Sequence, residues 1–294
     1  MKYTRQKLQK TVFILSFTLI PVALMLVFTY YPALKLVYYS FTNYKGTSPV
    51  FDYVGLFNWK LLLRGGEVWS ALFNSVYYII GGIVQNALAL LLAVVLNDLS
   101  FRGRNLFRGI VFMPFILNGT AVSYMFRYFF DYSKGPLNMV ITALGFQPVS
   151  WLSNPAIVNW ALAFICLWKY TGYLMVLYLA GLQAISADLY EAAMLDGAGK
   201  WQQFRFITWP SIINVIKLQM FLNISGAINI FDIPFVITDG GPVGASMTLA
   251  LQANNYAFEY HNFGLASTFG IFCTLAVVVV YLLQDKLLYR KEGK

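Results

Sequence analysis

Six apolar stretches, at about 11–31, 74–97, 108–127, 157–180, 211–236 and 263–284, dominate this chain and constrain it to one kind of solvent. A helix needs ~20 residues to cross a hydrocarbon core, and each stretch meets or approaches that length. Composition agrees. The 294 residues are 59% hydrophobic and 11% charged, against roughly 25% charged in soluble domains, and the mean hydropathy is +0.63. A soluble globule with so few polar side chains could not cover its own surface. The expected fold class is an all-α integral membrane protein with six transmembrane helices.

The third stretch is the weakest, being short and containing Pro114, Asn118, Gly119 and Thr120. Irregular backbone at membrane depth is tolerated only where it faces protein or a water-filled cavity. A functional break is therefore expected here. Gly81-Gly82 and the Ala-rich run 87–93 in the second stretch suit close helix packing. The loop 42–72 is rich in glycine and aromatic residues and reads as a packed cap, and Thr238-Asp239-Gly240-Gly241-Pro242 as a sharp turn.

A net charge of +9 could suggest nucleic acid, but its distribution argues for a membrane instead. With the N-terminus inside, the inner segments hold Lys2, Arg5, Lys7, Lys10, Arg102, Arg104, Arg108, Lys200, Arg205, Lys286, Arg290, Lys291 and Lys294. Against these, the outer segments hold Lys45, Lys60, Arg64, Arg127 and Lys134. That bias places both termini in the cytoplasm. The first apolar run has no A-x-A-like cleavage site and continues into Tyr30-Tyr31-Pro32, so it reads as a span. Cys166 and Cys273 lie within spans as small buried residues. One histidine, His261, makes no metal site. The domain reading is an N-terminal tail, first helix and extracytoplasmic loop at 1–70, a five-helix core at 71–284, and a basic cytoplasmic tail at 285–294.

Between the fourth and fifth spans lies Glu191-Ala192-Ala193-Met194-Leu195-Asp196-Gly197-Ala198-Gly199. A helix that must enter another protein's cleft needs small side chains, which Ala192, Ala193, Gly197, Ala198 and Gly199 supply. Asp188 and Glu191 read as a capping box, Gly197 and Gly199 as the helix stop, and Asp196 as a turn residue. Met194, Leu195, Phe204 and Ile207 are expected to anchor the loop against the bundle. Gly197-Ala198-Gly199-Lys200-Trp201 is not a phosphate loop, because Met194 and Trp201 stand where glycine and a hydroxyl are required.

The pattern E-A-A-x-x-D-G-A, followed by Phe204, Ile207 and Pro210, resembles the EAA loop of ABC importer permeases. Tyr31-Pro32, Ser40-Phe41-Thr42, Gly55 to Trp59, Met113-Pro114, Trp151-Leu152-Ser153-Asn154-Pro155, 180–185 and the Gly-Gly-Pro turn extend the likeness to carbohydrate permeases of the maltose and glycerol-3-phosphate type. Ala187 and the run after Pro210 depart from the family, which often has proline at both places. The resemblance implies a type I ABC importer transmembrane domain in the bacterial cytoplasmic membrane, with a coupling loop at about 186–210. It further implies a second homologous permease subunit, two cytoplasmic ATPase subunits, an extracytoplasmic solute-binding protein and a carbohydrate solute. Glu191, Ala192, Ala193, Asp196, Gly197, Ala198 and Gly199 would then couple to the ATPase. ATP and Mg would sit on that partner, leaving this chain no cofactor and no catalysis of its own.

Polar groups inside spans are costly and therefore candidate solute contacts. The third span offers Phe115, Asn118 and Thr120, the fourth Trp168, Lys169, Tyr170, Thr171 and Tyr173, and the fifth Asn223, Ser225 and Asn229. Phe115, Gly119, Trp168, Tyr170, Asn223 and Ala227 are those at or beside the contact positions the resemblance implies. Amides and aromatic faces suit a sugar. Lys169 could pair with Asp232, line a wet cavity or bind an acidic solute, and the pair is favoured. Lys217 reads as snorkelling toward the inner interface. Permeases for glycerol phosphate or an acidic sugar remain open, as does a self-sufficient secondary transporter.

Overall fold

The computed structural model describes residues 2–97 and 103–289. Arg102, with residues 98–101 before it, and the end of the tail, with Arg290, Lys291 and Lys294, lie outside the described residues, as do the side chains of Lys2, Arg5 and Lys7. The chain runs through helices α1 Lys2–Met25, α2 Tyr31–Tyr39, α3 Phe57–Arg64, α4 Gly66–Asn97, α5 Arg104–Ile116, α6 Gly119–Phe129 and α7 Pro136–Ala143. It continues through α8 Val158–Gln183, α9 Ala187–Leu195, α10 Lys200–Gln203, α11 Trp209–Ile228, α12 Asp232–Ile237, α13 Leu249–Asn254 and α14 Phe263–Tyr289.

Among the described residues, five helical segments are long and apolar enough to cross a membrane: Val12–Tyr39, Gly66–Asn97, Val158–Gln183, Lys200–Ile237 and Phe263–Lys286. The third sequence-predicted span is instead two helices, α5 and α6, bent by 95°. The first and fifth spans run longer than expected for a shared reason. Wide π-helical turns, Leu26–Tyr30 and Phe204–Thr208, lead into α2 and α11. Pro32 and Pro210 stand in the first turns of those helices. A proline ring clashes with the carbonyl four residues back. Those carbonyls belong to Phe28 and Phe206, each inside a π turn, so the widened backbone carries the helix past the proline.

The structure falls into two units, residues 1–65 with 253–272 and residues 66–252 with 273–294. In the first, the loop after α2 folds onto Asn58. Asn58 Nδ2 donates to the carbonyls of Ser40 (3.0 Å) and Thr42 (2.8 Å), and Thr42 bridges Tyr53. Tyr39, Tyr44 and Phe51 pack as an aromatic cluster above this turn. Gly264 opens α14 against the Thr42 carbonyl, where a Cβ would come within 2.1 Å. The loop is thus a packed cap within its unit.

The second unit is built on α4 and α8, packed along their lengths, with α5 against α8 and α11 against α4. Small residues permit the approach. A Cβ on Gly172 would stand 1.9 Å from the Val111 carbonyl oxygen, and Gly81 lies against Ala163. Two apolar cores result, one around Leu162, Ile165 and Phe126, the other around Ala89, Met175 and Tyr178. Buried amides also tie the helices by hydrogen bonds, as expected where lipid gives no hydrophobic incentive to associate. Asn74 donates to the Met247 carbonyl (2.9 Å) and Asn159 to the Ala245 carbonyl (2.8 Å). The Tyr178 hydroxyl donates to Asn86 (2.8 Å). Arg108 reaches the Leu96 carbonyl at 2.6 Å and satisfies the C-terminal end of α4. Lys217 is buried rather than snorkelling, beside Gln284, which donates to its carbonyl at 2.6 Å. The continuation of α14 beside it removes the open interface the sequence suggests.

Candidate functional site

A cavity of about 230 Å³ opens between α4, α8 and α11, lined by residues including Tyr78, Gln85, Tyr170, Tyr173, Asn223 and Ala227. Its polarity follows from one fixed group. The Cys166 carbonyl can only accept, so it takes Gln85 Nε2 (3.3 Å). Gln85 Oε1 is then turned toward Asn223 and accepts from its Nδ2 (3.2 Å). Asn223 is left with Oδ1 for other partners. It can sit there because α4 has Gly82 opposite, where a Cβ would fall 1.6 Å from Asn223 Oδ1. The Tyr78 hydroxyl is buried and has no partner among the described residues. Phe115 reaches the aromatic wall from α5, stacking on Tyr173 at 4.5 Å and meeting Tyr170 edge-on at 6.1 Å.

Several sequence-predicted residues stand elsewhere. Trp168 turns into the apolar core and meets Phe126 edge-on at 5.2 Å, because it projects from another face of α8 than Tyr170. The Thr171 hydroxyl donates to the Leu167 carbonyl on its own helix (2.5 Å), and Asn229, exposed at the C-cap of α11, donates to the Ser225 carbonyl (3.0 Å). Asn118 caps α6, its Oδ1 accepting from the amides of Thr120 (2.9 Å) and Ala121 (3.2 Å). Tyr78 and Gln85 are not among the sequence-based candidates. The signal was available, since a glutamine within an apolar stretch is as costly as the asparagine of the fifth.

Lys169 does not form the direct ion pair expected of it. It is 5% exposed and its ammonium donates to the Leu117 carbonyl at 2.6 Å, where α5 ends. The helix break supplies an unsatisfied carbonyl, which holds the ammonium in place of the carboxylate. Asp232 lies beside Gly119, at the start of α6.

At one end of the second unit, α9 carries Glu191 to Leu195. Its N-cap is Ser186, whose hydroxyl oxygen accepts from the Asp188 amide (3.3 Å), rather than Asp188 itself. The helix starts two residues earlier than the capping-box reading because Ser186 already has extended backbone. Past its end, Gly197 takes φ +77, the amide of Gly197 bonds to the Met194 carbonyl (3.1 Å) and that of Ala198 to the Ala193 carbonyl (2.8 Å). This is a Schellman stop. Gly199 then caps α10, its amide donating to Gln202 Oε1 (2.8 Å), and the Tyr190 and Thr208 hydroxyls share a bond of 2.9 Å that ties α9 to the π turn below α11. Met194 and Leu195 do not anchor the loop. Leu195 is 90% exposed, and Glu191, Ala192, Asp196, Gly197 and Gly199 are exposed with it, while Ala193 and Ala198 are half-buried.

Residues 85–293 match the family described as binding-protein-dependent transport system inner membrane component. The chain belongs to this family. It is a transport permease and, with its several apolar spans, a multi-pass membrane protein. Among its relatives is the multiple sugar-binding transport system permease protein MsmF of Streptococcus mutans, 33% identical over 280 residues, covering 92% of this chain and 93% of the relative. Another is the trehalose/maltose transport system permease protein MalF of Thermococcus litoralis, 33% identical over 247 residues, 84% of this chain and 81% of the relative. The fold is shared with a bacterial ABC transporter involved in import of the acidic polysaccharide alginate, at a TM-score of 0.84 and 21% identity over 98% of this chain and 99% of that one.

Proposed function

We propose that this permease imports a neutral carbohydrate, in the size range of an oligosaccharide, through a pore of which it forms one half. The observation that carries the solute class is the cavity lining. Among the described residues it holds tyrosines, two amides and apolar side chains, and no charged group. Aromatic faces suit the C–H surfaces of a sugar, and the free Asn223 Oδ1 and Tyr78 hydroxyl suit its hydroxyls. The names of the trehalose/maltose and multiple-sugar relatives support the same class. Lys169, held by Leu117, favours a neutral over an acidic solute.

The energy enters from partners. In this reading α9, exposed and lined with small residues, docks on a cytoplasmic ATPase subunit that binds ATP and Mg, and a second homologous permease completes the pore in the cell membrane. An extracytoplasmic binding protein delivers the sugar. Nucleotide-driven closure of the ATPases moves α9 and, through the Tyr190–Thr208 bond, the base of α11. This chain positions and couples; it makes and breaks no covalent bond.

The test is uptake of labelled trehalose and maltose, with ATP hydrolysis, by the assembly purified from native membrane. Gly197→Val puts a β-branched residue at φ +77 and is expected to abolish sugar-stimulated hydrolysis while the assembly still forms. Uptake by this chain alone, indifferent to Gly197→Val, would contradict the reading and favour a secondary transporter.

A further inference from the structure

The chain on either side of α9 brings one charge to the break between α5 and α6. Upstream, α8 carries Lys169, whose Nζ donates to the Leu117 carbonyl at 2.6 Å. Downstream, α10 and α11 lead into α12, whose first residue is Asp232. A Cβ built on Gly119 would lie 3.8 Å from Asp232 Oδ2, and α12 packs on α6.

The polarity of each placement is favourable. The carbonyls at the end of α5 carry partial negative charge, and the amides at the start of α6 partial positive charge. The ammonium sits on the first and the carboxylate beside the second. A proline-containing helix that stops at Leu117 and restarts at Gly119 leaves orphan groups on both sides. Asn118 answers two of the amides. Phe115, two residues before Leu117, belongs to the aromatic wall of the cavity. The Lys169 ammonium also lies 5.7 Å from the ring centre of Tyr170 on the same wall.

We propose that Lys169 and Asp232 are positioning residues for transport, a split clamp that ties the broken segment and Phe115 to α8, which precedes α9, and to α12, which continues the chain from α11. Displacement of α9 then moves α8 and α11, and the clamp carries α5 and α6 with them. The proposal rests on the coupling role of α9 given above. It differs from a simple ion pair, in which each charge would need only the other.

The assembled complex in lipid nanodiscs provides the test. Thr120 is exposed in the first turn of α6, so Thr120→Cys reports on that segment through its labelling rate with a water-soluble maleimide. The rate is compared with and without trapping by ATP and vanadate, after subtracting labelling of the chain without Cys at 120. Trapping is expected to change the rate at least about fivefold, the lower end of ordinary inter-site coupling. Lys169→Met and Asp232→Asn should each remove most of that response, and Lys169→Arg should keep it, since a guanidinium also donates to a carbonyl. Asp232 is exposed, so Asp232→Asn tests the clamp without a buried change. Exchanging the charges, Lys169→Asp with Asp232→Lys, should fail to restore the response, because each charge would face a helix end of its own sign. A full response in both single variants, or its restoration by the exchange, overturns the clamp. A missing response with Thr120→Cys alone overturns the coupling role of α9 and the clamp with it.

Discussion

Asn223 donates to Gln85 across 3.2 Å, and the direction of that bond is set by the Cys166 carbonyl behind Gln85. A backbone acceptor on α8 thus decides which face a side-chain amide of α11 offers to the cavity. Gln85 does this without needing to touch solute.

Gly82→Ala is the sharpest probe of that relay. The new Cβ would fall on Asn223 Oδ1 and force the amide away from Gln85. Losing one oriented neutral hydrogen bond is worth ~1 kcal/mol, so the KM for sugar uptake should rise about fivefold. Gln85→Leu should do the same, and the double variant should add little. Uptake kinetics in proteoliposomes measure this. Additive effects would show that the two residues act separately.

Gly172→Ala should be destabilising, because its Cβ would meet the Val111 carbonyl oxygen and the Phe112 Cα, which are backbone and cannot swing aside. Overpacking of this kind costs about 1–3 kcal/mol or more. A fall in the thermal unfolding midpoint of the purified assembly is expected. Gly109→Ala, on α5 with open space around it, should be neutral or slightly stabilising in the same assay.

Gly197→Ala isolates backbone strain, since nothing lies within 4 Å of the added Cβ. A left-handed alanine costs ~1 kcal/mol, which should loosen the Schellman stop and raise the rate of proteolytic nicking at 195–200 severalfold. Asn accepts this conformation, so Gly197→Asn should be nicked more slowly than Gly197→Ala. Equal rates would mean that φ at this residue does not hold the turn.

Much of the architecture was legible because the bilayer imposes long apolar runs: 74–97 and 263–284 lie inside α4 and α14, and 157–180 starts one residue before α8. Gly197 announced its own turn, since its left-handed φ is one that glycine enters freely. The π turns before Pro32 and Pro210 were not legible, because proline alone reads as a stop and only the packed helix shows that the chain continues. Helix face was the other blind spot. Trp168 and Tyr170 are two residues apart, and only the packing of α8 reveals that one enters the core and the other the cavity. Lys169 was recognised as costly, but its partner is a carbonyl freed by a helix break, a group that no sequence pattern displays.

The central claim is that α9 hands motion from an ATPase to this chain. Leu195, 90% exposed at the end of α9, is the place to test it. A photo-crosslinking residue at that position in the native assembly should give a single adduct with a cytoplasmic ATPase subunit, and ATP with vanadate should alter its yield. Adducts with lipid or water alone, in an assembly that still imports sugar, would contradict the account.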